Sequence, residues 1–221
     1  LAVMGERPPS GEDLAKAGRV EWFGEHGRLT GKVMKAVGLN LNLAPVLDYA
    51  PPERRGVDNS LAGRCYGSSP AEVIPRARAY LKGMQKEGVG GTGKHFPGYT
   101  FCGLDPHGDL PLVDRPREKI EAEELAVFRE VGMECDSIMV GHAQFPAWGK
   151  DSGPASLHRD IVTGLLKETM GYRGLVMTDD LEMGAIANRY GSAEASRRAV
   201  RAGEEILLIC HNPACAEIAR D

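Results

Sequence analysis

The chain has 221 residues, 42% hydrophobic and 26% charged, a globular balance that excludes a disordered polypeptide. No uninterrupted apolar run approaches the ~18 residues of a membrane span. With 31 acidic against 27 basic residues the net charge is −4, which argues against nucleic acid or an anionic membrane surface as the main partner. Cys65, Cys102, Cys135, Cys210 and Cys215 are scattered without CxxC spacing, so neither a zinc site nor a disulfide framework is expected. That cysteine usage tilts the expected location towards the cytoplasm. An export signal stays open, because the chain starts at Leu1 without a methionine.

In chain order, Ser10 with Asp13 reads as a capping box opening a helical stretch to about Ala36, with Gly38 as its stop. Residues 39–47 read as a strand ending at Asp48. A helix is predicted over 70–87, with Pro70 at its start and Gly88 at its end. A second strand covers 89–94, and a long loop rich in Pro, Gly and His follows. Helix 116–133 begins at Pro116 with acidic residues in its first turns, as the helix dipole favours. Strand 137–140 ends at Gly141-His142, and a helix is expected near 158–170. Strand 174–178 ends at Asp179. A helix over 192–202, a strand over 206–209 and a helical tail complete the pattern.

Short apolar strands separated by helices specify βα units and a parallel sheet. No linker or low-complexity tract divides the chain, so residues 1–221 are expected to form one domain. The strands recur about every 41 residues, so eight units would need roughly 330, above the ~250 typical of a (β/α)8 barrel. Five strands fit either an open sheet or part of a barrel. In four of the five, a polar residue stands at the carboxyl end: Asp48, Lys94-His95, His142 and Asp179. Ligands bind at that end of parallel α/β sheets.

The densest chemical signal is Lys94-His95-Phe96-Pro97-Gly98, followed by Asp105-Pro106-His107. A Lys and a His at a strand tip can aim donors into a pocket, and an Asp two residues before a His can orient its imidazole. The second signal is Thr178-Asp179-Asp180. Adjacent strand residues face opposite ways, so at most one carboxylate enters a given site. Asp180 reads as the N-cap of a short helix from Leu181, which leaves Asp179 free as a nucleophile, a metal ligand or another cap. His142 is read equally as pocket lining or as a satisfied buried histidine. Arg54 and Arg55 read as solvated surface, and neither Trp22 nor Trp148 is assigned as a sugar platform.

Taken together, Lys94-His95-Phe96-Pro97-Gly98, Asp105-x-His107, Pro154-Ala155-Ser156-Leu157 and Gly174-Leu175-Val176-Met177-Thr178-Asp179-Asp180-Leu181-x-Met183 resemble glycoside hydrolase family 3. Ala44-Pro45-Val46-Leu47-Asp48 and Arg64-Cys65-Tyr66-Gly67 match the family pattern in order. The likeness is greatest to the β-N-acetylglucosaminidase branch, whose members trim GlcNAc from peptidoglycan fragments. It implies an α/β, (β/α)8 barrel fold, here with about five of eight units and two open sheet edges through which copies of the chain could associate. It implies retaining hydrolysis of terminal β-linked GlcNAc, with Asp179 as nucleophile and His107 as general acid/base completed by Asp105. It further implies Asp48, Arg64, Lys94 and His95 as holders of the sugar hydroxyls, a carbohydrate substrate, and no metal or organic cofactor. Phosphorolysis, a substrate-assisted route, a β-glucosidase and a catalytically incompetent barrel fragment are the alternatives. Two departures stand out: Tyr99-Thr100 where relatives commonly read His-Gly, and Pro106 in place of the usual Ser.

Overall fold

A computed structural model describes residues 9–54, 56–149 and 153–220. The capping box forms: Asp13 N–H donates to Ser10 Oγ at 3.1 Å and Ser10 N–H to Asp13 Oδ2 at 3.0 Å, starting α1 (Gly11–Ala17). The expected single helix to Ala36 is instead two. Gly18 ends α1 in the left-handed region (φ 72), and α2 runs Val20–Ala36. Helix α3 (Pro70–Lys86) packs on α2 at glycine positions. A Cβ on Gly27 would lie 2.0 Å from the Tyr80 carbonyl, and one on Gly83 2.2 Å from that of Gly24. Only glycines permit the two backbones to approach so closely.

The predicted strand over 39–47 is shorter. β1 is Leu41–Asn42, paired with β2 (Gly90–Phe96), and an isolated bridge joins Val46 to Lys94. Pro45 between them has no N–H to give the ladder. β3 (Ser137–Val140), β4 (Leu175–Asp180) and β5 (Ile206–Leu208) follow, all parallel and in the spatial order β1-β2-β3-β4-β5. The result is five parallel strands in a curled half-barrel, as the sequence predicts for an incomplete barrel. β3 is buried along its whole length, and Thr92 and Ser137 share a 2.6 Å hydroxyl contact across β2 and β3. Phe23, Leu81, Phe96, Phe128 and Ile138 belong to the main core.

Three further expectations change. Helix 116–133 divides into α4 (Arg117–Ala122) and α5 (Glu124–Glu130), with Glu123 off the helical path at ψ −75. Arg115 explains the break: it binds Glu123 at 2.7 Å and Glu124 at 2.6 Å, and consecutive residues of an ideal helix point about 100° apart. The helix near 158–170 is wide-wound over Asp160–Thr169, closed by Met170 N–H to Leu165 O, an i→i−5 bond. Asp180 is not a helix cap. It ends β4, and its Oδ1 accepts the N–H groups of Glu182 and Cys210; the short helix α6 begins later, over Gly184–Ala187. Helix α7 (Ser192–Ala202) leads to β5, and α8 (Pro213–Arg220) follows it. No helix among the described residues is long and apolar enough to cross a membrane.

At the α7–β5 junction Glu204 is buried, and neither of its carboxylate oxygens has a partner among the described residues. Burial pushes its pKa well above 4.5. The folded chain therefore keeps a proton that the unfolded chain releases, and stability falls as pH rises above that ordinary value. Glu204→Gln is expected to raise the thermal midpoint at pH 7 and leave it nearly unchanged at pH 4. Unfolding scans across that range check this, and an equal effect at both pH values would contradict it.

Candidate active site

The polar side chains flagged at the strand tips converge at the carboxyl end of the half-barrel. Asp48 follows the Val46 bridge and is 2% exposed. Its Oδ2 accepts the His95 backbone N–H at 3.1 Å and lies 2.7 Å from His95 Nδ1, while Oδ1 accepts Tyr99 N–H at 2.6 Å. Donating Nδ1–H to Asp48 leaves His95 Nε2 as an acceptor, and Arg64 Nη2 stands 3.3 Å from it. Burial lowers the His95 pKa despite the carboxylate, so this imidazole is neutral at neutral pH. Lys94 is pushed down to about 8, first by burial and then by Arg64, against the opposing pull of Asp179 and Asp48.

Asp179 is half-buried at the end of β4, its Oδ1 taking the Asp180 N–H at 2.9 Å. Burial alone would raise its pKa. The facing groups His95, His142 and Lys94, with the Asp180 N–H, outweigh burial and hold the carboxyl below the ordinary value of 3.8. His95 and His142 are both neutral at pH 7, because burial lowers their pKa. Lys94 and the backbone N–H then provide the standing support for the charge.

The Asp105–His107 pair forms as the spacing predicts. Asp105 Oδ1 accepts His107 N–H at 2.9 Å and lies 2.7 Å from Nδ1, which turns the Nε2 edge outward on an imidazole 63% exposed. Burial would raise the Asp105 carboxyl, but the two His107 hydrogen bonds, with Arg64 adding, hold it low. The loop carrying the pair leaves β2 and lands on the segment after Asp179. Gly184 N–H donates to His107 O at 2.9 Å, Ala185 N–H to Pro106 O at 3.0 Å, and Asn188 Nδ2 to Gly108 O at 3.0 Å; Arg189 binds Asp109. A Cβ on Gly184 would meet the Gly108 carbonyl at 2.3 Å, so this docking needs glycine. A carboxylate able to attack and an imidazole able to transfer a proton are thereby anchored to one βα segment.

His142 is a satisfied buried histidine: Nδ1 is 2.8 Å from Ser156 Oγ and Nε2 2.9 Å from the Asp180 carbonyl. Arg54 is not solvated surface. It donates to the Cys102 carbonyl and lies 5.8 Å from the Phe101 ring. Arg55 lies outside the described residues. Trp148 packs edge-on to Phe145 and under Arg117. Sequence reasoning missed Tyr99, which is 1% exposed and sits between His95 and Asp179. The departure from the family pattern at that position was the available signal. A cavity of about 320 Å³ reaches Arg64 and Lys94. A larger one of about 630 Å³ is lined by Arg54, Asn59 and Arg76 and does not include Asp179 or His107. Among the described residues no three His, Cys, Asp or Glu side chains converge to hold a metal ion.

The sequence pattern of the Glycosyl hydrolase family 3 N terminal domain matches residues 3–220. The chain belongs to glycosyl hydrolase family 3. Within the family it is 36% identical over 194 residues to a β-hexosaminidase of Tolumonas auensis, covering 87% of this chain and 56% of that protein. It is 33% identical to the β-hexosaminidase of Alkalilimnicola ehrlichii, over 85% of this chain and 52% of that one. Among solved structures, a family 3 β-N-acetylglucosaminidase from a Paenibacillus species superposes with a TM-score of 0.88 at 36% identity, covering 93% of this chain and 39% of that one. The chain thus spans about half the length of these curated family 3 relatives.

Proposed function

We propose that residues 1–221 are part of the barrel-type catalytic domain of a retaining β-N-acetylglucosaminidase, which removes terminal non-reducing GlcNAc from chito-oligosaccharide or peptidoglycan-type glycans. The observation that carries the reading is the docking of the Asp105–His107 loop onto the segment that follows Asp179. The named relatives, β-hexosaminidases and a β-N-acetylglucosaminidase, support the substrate class.

On this reading Asp179 attacks the anomeric carbon while the His107 imidazolium gives its Nε2 proton to the departing glycosidic oxygen. The C–O bond to the aglycone breaks as the Asp179–sugar ester forms. Water then attacks the ester, His107 takes its proton, and the Asp179 carboxylate leaves. Asp105 holds the imidazole and stabilises its cationic form. A histidine in this role keeps a second anion away from the nucleophile. Asp48, Arg64, Lys94 and His95 form the sugar-facing floor. Asp48, without exposed side-chain surface, acts there by fixing His95.

An N-acetylglucosaminyl fluoride carrying a second fluorine at C5 tests the reading, because the fluorine slows the second step and traps the ester. The expected adduct lies on the peptide containing Asp179. Turnover of p-nitrophenyl β-N-acetylglucosaminide without an adduct would sink the covalent route and favour the substrate-assisted one. GlcNAc-1-phosphate appearing when phosphate is added would change the acceptor but not the nucleophile.

Lys94 makes a separate prediction. With a pKa of about 8 it is a cation below that pH and a neutral amine above it. Binding of free GlcNAc, read by calorimetry, is expected to weaken with a midpoint about 8, and Lys94→Met to bind weakly at every pH. A flat wild-type profile through pH 9 would remove Lys94 from the sugar contacts.

A further inference from the structure

Tyr99 takes no part in the steps above, yet it is bonded into the site from several sides. Its ring stacks on His95 with centroids 4.5 Å apart and planes 20° apart. It fills the space beside Gly141 so closely that a Cβ there would come within 2.5 Å of the ring. Its N–H is held by Asp48 at 2.6 Å, and its carbonyl takes Asn59 Nδ2 at 3.3 Å. Its hydroxyl oxygen accepts the His142 backbone N–H, so the phenol proton is left to point elsewhere. The acceptor in reach is Asp179 Oδ2, 3.5 Å away.

His142 cannot easily shift to release the phenol, since both of its ring nitrogens are engaged by Ser156 and by the Asp180 carbonyl. Burial, and then the Asp179 charge, push the phenol's pKa well above 10, so it stays a proton donor at every pH of interest. The other oxygen of Asp179 is already fixed by the Asp180 N–H. A carboxylate pinned at both oxygens cannot rotate about its Cβ–Cγ bond. Active-site hydrogen bonds that are long in the empty site commonly tighten when substrate closes it.

We infer that Tyr99 is a positioning residue for the Asp179 carboxylate, its phenol fixing Oδ2 while the Asp180 N–H fixes Oδ1. The inference rests on the reading of Asp179 as nucleophile only for its kinetic consequence. The hydrogen bond itself is testable without turnover.

The variant is Tyr99→Phe, which keeps the ring stacked on His95 and packed against Gly141. Carbon-detected titration of the Asp179 carboxyl in the free chain is expected to show its midpoint moved to higher pH in the variant. In the kinetics, kcat is expected to fall by roughly ten- to a hundred-fold with KM little changed, and the acid limb of kcat/KM to move up with the carboxyl. A hydroxyl that serves only to accept the His142 N–H would lower the thermal midpoint on its loss and leave the Asp179 titration where it was; that result overturns the inference. A second check compares the two chains: transfer to D₂O should shift the Asp179 carboxyl resonance more in wild type than in Tyr99→Phe, where the Asp180 N–H still exchanges but the phenol is gone, and an equal shift in both would count equally against it. Absence of the fluorosugar adduct in wild type would fail the nucleophile reading alone, because both carboxyl measurements still decide the Tyr99 contact.

Discussion

Asp179→Ala is expected to cut turnover of p-nitrophenyl β-N-acetylglucosaminide by on the order of 10⁴-fold or more, because the first bond-forming step loses its nucleophile. The fold is expected to survive. Asp179 is half-buried, and its hydrogen bonds are to the next residue's N–H and, at 3.5 Å, to the Tyr99 hydroxyl. Removing a recessed charge also removes the cost of its desolvation. The groups that hold the carboxyl below its ordinary value outweigh that cost, so the variant should unfold a little below wild type. The side chain's departure opens space on the face from which the carboxylate would attack, so azide should restore part of the rate and give the α-glycosyl azide. Loss of activity with a large loss of stability would instead place Asp179 in the scaffold. A β-configured azide product would contradict attack from its side of the ring.

The opposite pattern is expected one layer down. Asp48→Ala should destabilise the chain by about 3–5 kcal/mol, because the His95 backbone N–H, the His95 Nδ1–H and the Tyr99 N–H would be left buried without an acceptor. For a chain of this size that is a fall of roughly 6–20 °C in thermal midpoint. Asp48→Asn is instructive beside it. The amide oxygen either takes the place of Oδ2 and accepts both His95 donors, with its NH₂ against the Tyr99 N–H, or takes the place of Oδ1 and accepts the Tyr99 N–H alone. In the second orientation the NH₂ faces His95, which would favour the tautomer with its proton on Nε2, facing the Arg64 guanidinium. Both variants should lose activity through His95 and Tyr99, even though Asp48 itself has no exposed side-chain surface. Scanning calorimetry beside steady-state kinetics separates the pair: Asp179 variants lose rate and keep stability, and Asp48 variants lose both. If Asp48→Ala unfolds within 2 °C of wild type, the buried cluster contributes far less than its hydrogen bonds indicate.

Local signals in the sequence determined the order of strands and helices, the capping box at Ser10, the parallel arrangement and the polar residue at four of the five strand tips. Each depends on neighbours a few residues away: periodicity, a Pro at a helix start, a Gly at its end. The Asp105–His107 pair was legible for the same reason, since two residues of spacing let the carboxylate reach the imidazole within one turn of chain. Motif order then identified the family, and the family supplied the roles. What the tertiary structure decided is everything that depends on contacts between distant segments. The break at Glu123 follows from Arg115 gathering two successive carboxylates, and the close crossing of α2 and α3 from Gly27 meeting Tyr80. Asp180 gave a good cap signal, yet the strand continued through it because Asp180 pairs with Leu208 of β5, whose carbonyl takes the Leu181 N–H. Tyr99 lies 80 residues from Asp179 in the chain. A hydrogen bond of that reach leaves no local pattern, so only the folded sheet, which brings the ends of β2, β3 and β4 side by side, could show that a phenol stands against the carboxylate.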